Sequence, residues 1–341
     1  VSLISNSVNK LQDAPFPDFI TRPAIALLVA NARKSLKTPP ADAEAVFARE
    51  MAERPVAEYT DAANQQHYEL PARFFELCLG SHRKYSSCFY ETADATLDEA
   101  EASALALTCE HADICDGQTI LELGCGWGSL SLWMAERYPN ASITSVSNSR
   151  SQKAAIDQMA QERGLTNLAV ITADMNVFST DRTFDRIVSV EMFEHMANWR
   201  ALLGKARAWL KADGRMFIHV FSHVSAPYRF EVSDTSDFIA QHFFTGGVMP
   251  SHGLMHQYGD LFSVEDEWRW SGTHYQRTAD DWLKNFDRNE DEIRALMVEV
   301  YGQDAPLWMR RWRRFYMATA GLFGDSDGSV WGVSHYRLKG V

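Results

Sequence analysis

The chain has 341 residues, enough for one large domain or two modest ones around a buried core. Its 46% hydrophobic and 23% charged content is ordinary for a globular protein, and 45 Asp and Glu against 33 Lys and Arg (formal charge −12) speak against nucleic acid as a partner and favour neutral or cationic small molecules. Five cysteines without a CxxC pair, no apolar run near ~18 residues and no basic leader before an apolar stretch predict a cytoplasmic protein without a transmembrane segment.

Residues 1–66 read as a helical, accessory N-terminal extension. PDFITRPAIALLVANARKSL (17–36) has apolar residues at helical spacing up to the break KTPP, and ADAEAVFAREMAER (41–54) follows as a second helix. HYELPARFFELCLG (67–80) predicts a short helix ending at Gly80. From about residue 97 strands and helices alternate. The strand-like runs are TILEL (119–123), SITSV (142–146), LAVIT (168–172), DRIVSV (185–190) and RMFIHV (215–220). This pattern predicts an α/β domain over 67–341, with a doubly wound, Rossmann-like parallel sheet that binds ligands at the carboxyl ends of its strands. After His223 the alternation stops, and 224–265 reads as a helical insertion over the active site, a lid or substrate cap. Helices near 278–302 and 304–323 and a closing strand at 331–338 complete the chain.

The stretch ILELGCGWGS (120–129) places Gly124, Gly126 and Gly128 at alternate positions. A dinucleotide loop wants G-x-G-x-x-G, with its third glycine allowing the helix to pack while its amino terminus faces a pyrophosphate. Here Glu122 stands two residues before the first glycine, where it would repel a pyrophosphate but help hold the cationic amino-acid end of S-adenosylmethionine. The second strand runs into SVSNSRSQ, which has no carboxylate for a ribose diol. Asn148 and Gln152 are the candidate replacements, while Ser147 to Ser149 also suit a helix cap. In ADMNVF after the third strand, Asp174 is a candidate acceptor for the adenine amino group, with Met175 against the ring; a helix cap is the alternative.

The fourth strand ends at Val190, a candidate cofactor contact, and EMFEHM follows. If a helical turn begins here, Glu191, Glu194 and His195 share one face. A helix amino terminus accounts for one Glu, but poorly for two and a histidine. The spacing is not H-E-x-x-H and no cysteine is near, so no metal site is expected, although His219 and His223 flank a strand end. An alkylamine of pKa ~9–10 is mostly protonated at neutral pH, and exposing its lone pair costs about 3–4 kcal/mol. A positioned base can accept that proton, so Glu194 and His195 are the candidate catalytic groups, with Glu191 in support.

These residues, together with QHYELP, KYSSCFY (84–90), FFTGGVMPS (243–251) and HYQRT (274–278), make the chain resemble the plant coclaurine N-methyltransferase family and its bacterial relatives from about residue 66 to the end. That family is in turn similar to the cyclopropane fatty acid synthases. The resemblance implies a class I methyltransferase fold and S-adenosylmethionine as cofactor, with S-adenosylhomocysteine as product. It also implies Tyr85 and Ser86 at the methionine end, a proton-handling Glu194–His195 pair and, at family level only, a possible homodimer. In the lipid enzymes a Glu, a His and a Tyr hold bicarbonate near the cysteine of a YSC sequence. Glu194, His219 and Tyr275 look like those three, but Ser87 replaces the cysteine and Cys88 comes one residue later. FTGG (244–247) replaces the lipid enzymes' FPGG, and Thr319 stands where both groups often have a late cysteine. The Ser87 and FTGG departures look more like the amine branch.

The first reading is N-methylation of a small amine, alkaloid-like or aromatic, with Phe238, Phe243, Phe244, Tyr258, Trp268 and Trp270 as candidate pocket walls and Glu69 as a candidate ammonium anchor. The alternative is modification of an unsaturated acyl chain, where bicarbonate takes the proton. Arg310, Arg313 and Arg314 of RRWRR (310–314) would then meet an anionic head group, or else form a solvated helix surface. A third reading is a dehydrogenase or a non-catalytic nucleotide-binding module; the glycine spacing opposes the former and the acid–histidine cluster the latter.

Overall fold

The computed structural model describes residues 14–58, 70–230 and 238–341. Among the described residues the first elements are the helices α1 (Asp18–Leu36), α2 (Ala43–Ala52), α3 (Ala72–Cys78) and α4 (Leu97–His111). Then come β1 (Thr119–Leu123), α5 (Ser129–Arg137), β2 (Ser142–Ser147), α6 (Arg150–Glu162), β3 (Leu168–Thr172), β4 (Phe184–Val190), α7 (Trp199–Trp209) and β5 (Leu210–His223). The insertion contributes β6 (Tyr228–Arg229), α8 (Phe238–His242) and β7 (Val248–Met249). The chain closes with β8 (Phe262–Ser271), α9 (Gly272–Arg288), α10 (Glu290–Tyr301), α11 (Ala305–Gly324) and β9 (Trp331–Gly340).

The main sheet has the order β3-β2-β1-β4-β5-β9-β8, with the first five strands parallel and β9 antiparallel to both neighbours. Its central strands are apolar because helices cover both faces: Ile120, Leu121 and Leu123 of β1 and Ile187 and Val188 of β4 are inaccessible to water. The strand order reverses between β1 and β4, and a crevice opens at the carboxyl ends of strands there. All five parallel strands lie where the hydrophobic runs put them.

Two expectations need correction. Residues 262–265 belong not to the insertion but to β8, an edge strand. Its charged residues are paired, Glu265 with Arg215 of β5 and Asp266 with Arg337 of the adjacent β9, which an edge strand tolerates. The helix expected over 278–302 is two helices that meet at Asn289, whose side-chain amide donates to Leu77 O. Helical periodicity continues across the break and hides it.

The N-terminal helices pack on this body. Arg313 of α11 pairs with both Asp18 of α1 and Asp287 of α9, and Ile25 of α1 lies against Gly321. The arginine run is thus partly spent on internal ties, with Trp312 wholly buried. Among the described residues no helix is long and apolar enough to cross a membrane.

Candidate active site

At the end of β1 the chain enters a turn in which Gly124, Gly126 and Gly128 all have left-handed φ (+79°, +51° and +83°). A Cβ on Gly124 would lie 2.5 Å from Met192 Cγ, and one on Gly128 would lie 2.6 Å from Ile156 Cγ1. The outer two glycines therefore let the turn pack against its neighbours, and Gly128 does not reach the cavity. Gly126 meets nothing within 4 Å and borders the cavity, so its bare backbone is open to a ligand.

The cavity measures about 1060 Å³, at the upper end of the ~300–1,000 Å³ usual for one drug-sized ligand, and suits two. Tyr85, Ser86, Glu122, Asn148, Gln152, Asp174, Met175 and Val190 all border it. Gln152 Oε1 accepts from Ser147, while its buried Nε2 has no partner among the described residues, leaving a donor for a ribose hydroxyl. Glu122 accepts from Ser131 and Ser145 and is otherwise dry, so burial pushes its carboxyl up to about 7. Such an acid ionises fully only beside a cation. Asp174 Oδ1 accepts from Asn176 N inside a turn, and no helix lies between β3 and β4 among the described residues, so Asp174 borders the cavity as a turn residue and does not cap a helix. The orphan amide, the open glycine and the desolvated acid fit an adenosyl group with a cationic tail.

The EMFEHM segment departs from expectation. Glu191 itself has φ +45°, and a short 3-10 turn over Phe193–His195 follows in place of an α-helix. Glu191, Glu194 and His195 therefore do not share a helical face. A left-handed non-glycine residue costs on the order of 1–3 kcal/mol, and three hydrogen bonds hold this one. Glu191 Oε1 accepts from Ser87 N at 2.8 Å and meets His219 Nε2 at 3.2 Å, while Oε2 accepts from Tyr275 O–H at 2.7 Å. Glu191, not Glu194, is thus the carboxylate grouped with His219 and Tyr275. Sequence order hid this, because the reversed backbone at Glu191 turns its side chain toward β5 and α9.

Glu194 is 1% exposed and borders the cavity, and its Oε2 has no partner among the described residues. Burial, and then the charge of Glu191, raise its pKa well above the carboxylate range. Burial also raises Glu191, against the pull of the Lys84 ammonium. The His195 ring borders the cavity 4.4 Å from Phe244, and Tyr275 borders it too. His219 does not; wholly buried, it is held neutral by desolvation and reaches the site only through Glu191.

Lys84 is the residue that sequence reasoning overlooked. Its buried Nζ donates to Ser86 Oγ and Ser87 O, both at 2.6 Å; burial lowers its own pKa, while its positive charge opposes the rise in Glu191. The place of Lys84 directly before the Tyr85–Ser86 pair was the available signal. Helix α1 was likewise underrated: Ile20, Ile25 and Leu28 form part of the cavity wall. Of the aromatic candidates, Phe238 and Phe244 line the cavity, joined by Tyr228, Phe230 and Phe315. Phe243, Tyr258, Trp268 and Trp270 do not: Phe243 stacks on Phe315, Tyr258 packs near Trp199, Trp268 stacks on His111 and Trp270 packs on His335. Cys88 is buried, Thr319 borders the cavity with its hydroxyl donating to Phe315 O, and Glu69 lies outside the described residues.

A family model described as mycolic acid cyclopropane synthetase matches residues 57–332. The chain is 37% identical over 289 residues to (S)-coclaurine N-methyltransferase of Thalictrum flavum subsp. glaucum, across 83% of this chain and 80% of that one. It is 28% identical over 277 residues to the cyclopropane-fatty-acyl-phospholipid synthase of Escherichia coli strain K12, across 80% of this chain and 67% of that one. In three dimensions it matches a crystal structure of coclaurine N-methyltransferase bound to N-methylheliamine and SAH, with a TM-score of 0.94 at 32% identity over 99% of both chains.

Proposed function

The chain belongs to the mycolic acid cyclopropane synthetase family, on its coclaurine N-methyltransferase side, and is a class I S-adenosylmethionine-dependent methyltransferase; we propose that it N-methylates a small alkaloid-like or aromatic amine, with Glu194 as the proton acceptor. The observation that carries the acceptor class is the buried, unpartnered Oε2 of Glu194 in a cavity walled by aromatic rings. A dry carboxyl oxygen of this kind, with its basicity raised by burial, is well matched by a charged N–H donor. Aromatic faces at Phe230, Phe238, Phe244 and Phe315 would hold both the flat body and the charge of such a ligand.

When bound, the sulfonium supplies an already activated methyl group. The chain's own residues then supply the acceptor's lone pair. Glu194, its pKa raised by burial, takes the proton from the amine, and His195 stands within the same cavity as a second acceptor. Overall, the amine nitrogen gains a bond to the methyl carbon, the carbon–sulfur bond breaks with its electron pair left on sulfur, and one proton leaves the amine. Glu191, fixed by Ser87, His219 and Tyr275, places a second carboxyl on the floor of the site, which is negative once ionised.

The lipid reading has less support. Identity to the lipid enzyme is lower than to the amine enzyme, and Glu191 already spends three hydrogen bonds on the residues that would surround bicarbonate. Incubating the protein with methyl-labelled S-adenosylmethionine, a panel of benzylisoquinoline-type amines and unsaturated phospholipid vesicles tests the acceptor class. Label in the amine is expected; label in the lipid alone overturns the assignment. All five cysteines are free, which fits the proposed cytoplasmic location.

A further inference from the structure

Behind the cavity a row of histidines continues from Glu191. His219 of β5 and His335 of β9 are directly paired across the antiparallel ladder, so their rings lie side by side on one face of the sheet. His219 Nδ1 and His335 Nε2 are 2.8 Å apart, and His335 Nδ1 is 2.8 Å from Nδ1 of His111, the last residue of α4. With the Glu191–His219 contact this makes an unbroken chain of four ionisable groups. His219 and His335 are wholly buried, whereas His111 is 9% exposed and stacked flat on Trp268. Three hydrogen-bonded imidazoles are more than packing needs in a core of this kind, where apolar side chains would fill the space without desolvating six ring nitrogens.

We propose that His219, His335 and His111 form a proton path that joins Glu191 to solvent at His111, which does not line the ligand cavity. The step balances with every imidazole neutral before and after. A protonated Glu191 gives its proton to His219 Nε2, His219 Nδ1–H passes one to His335 Nε2, His335 Nδ1–H passes one to His111 Nδ1, and His111 Nε2–H releases one to water. Glu191 ends as a carboxylate that accepts from His219 Nε2–H, and uptake runs the same hops in reverse. The depressed basicity of the buried rings is therefore no barrier, because none of them has to hold a charge at rest. Lys84, Glu194 and Tyr275 face the inner end, and Glu110, Arg337 and Asp266 face His111 at the outer end. The path lets Glu191 reach its equilibrium charge while ligands block the cavity mouth. It does not depend on which acceptor the enzyme methylates.

The test uses the S-adenosylhomocysteine complex, without any acceptor, so the acceptor assignment does not enter. The carbonyl stretch of protonated Glu191 is identified by its loss in Glu191→Gln and followed by infrared spectroscopy after a rapid upward pH jump. The wild-type complex is expected to lose the band as fast as the ligand-free protein. His335→Phe, and His111→Phe, which keeps a ring on Trp268, are expected to lose it slower by on the order of tenfold or more in the complex, with S-adenosylhomocysteine affinity within a few-fold. His111→Phe decides the matter if His335→Phe does not fold. Unchanged rates in the folded variants, or a wild-type complex slowed as much as they are, would overturn the path.

Discussion

Tyr275 of α9 donates its hydroxyl to Glu191, the residue after β4, at 2.7 Å, across an interval of 84 residues. That bond ties the carboxyl-terminal helices to the edge of the sheet where the ligand cavity opens. Tyr275→Phe removes one of the three bonds that hold Glu191 in its left-handed conformation. Methylation is expected to fall by on the order of tenfold, as for loss of one positioning hydrogen bond to a charged group, while S-adenosylmethionine affinity measured by calorimetry stays within a few-fold. Equal losses in both would mean that the bond is structural only.

Glu194→Gln keeps the shape of the side chain but removes its basicity. Turnover should fall by roughly 10²–10⁴-fold with cofactor affinity nearly unchanged. Steady-state rates with an amine at saturating S-adenosylmethionine read this directly, and retention of turnover would be incompatible with Glu194 as base.

Gly126→Val places a β-branched side chain at φ +51° on the open side of the turn. A Cβ there strikes no neighbour but the left-handed backbone is strained by a β-branched residue, so in the variant that circular dichroism shows to be folded cofactor binding should be lost. Normal S-adenosylhomocysteine affinity in this variant would contradict the place of the cofactor against the turn.

Glu122 has a pH signature. Burial raises its pKa from an ordinary 4.5 to about 7, so between these values the native ligand-free protein holds a proton that the unfolded chain has lost. Stability from this group is fully present below pH 4.5 and declines as pH rises toward 7, by at most about 3 kcal/mol. Melting temperatures of wild type and Glu122→Gln across that range should diverge, with the wild type losing more. Parallel curves would show that Glu122 ionises normally.

Arg313→Ala cuts the ion pairs to Asp18 and Asp287 and loosens α1 from α11. Because α1 walls the cavity, KM for the amine should rise several-fold while KM for S-adenosylmethionine stays put. A rise in both would assign α1 to general stability.

The strand–helix alternation, the glycine turn and the acid–histidine segment could all be read in order along the chain, since hydrophobic periodicity and left-handed turn chemistry are local properties. The cofactor candidates Gln152 and Met175 follow from their offsets after strands and Glu122 from its place two residues before Gly124, and they all border the cavity. Sequence could not decide which carboxylate faces His219, because a single backbone reversal at Glu191 exchanges its neighbours. Nor could it tell that Lys84 is buried beside that carboxylate, that α1 walls the cavity, or that Trp268 and Trp270 serve the histidine row and not the ligand. Local sequence determined the sheet and the turn that opens to a ligand. The partners of each ionisable group were decided by packing between residues far apart in the chain, as in Arg313 with Asp18, 295 positions apart. The reason is physical: the charge state of a buried group depends on what is within a few ångströms of it, and only the folded chain brings those groups together.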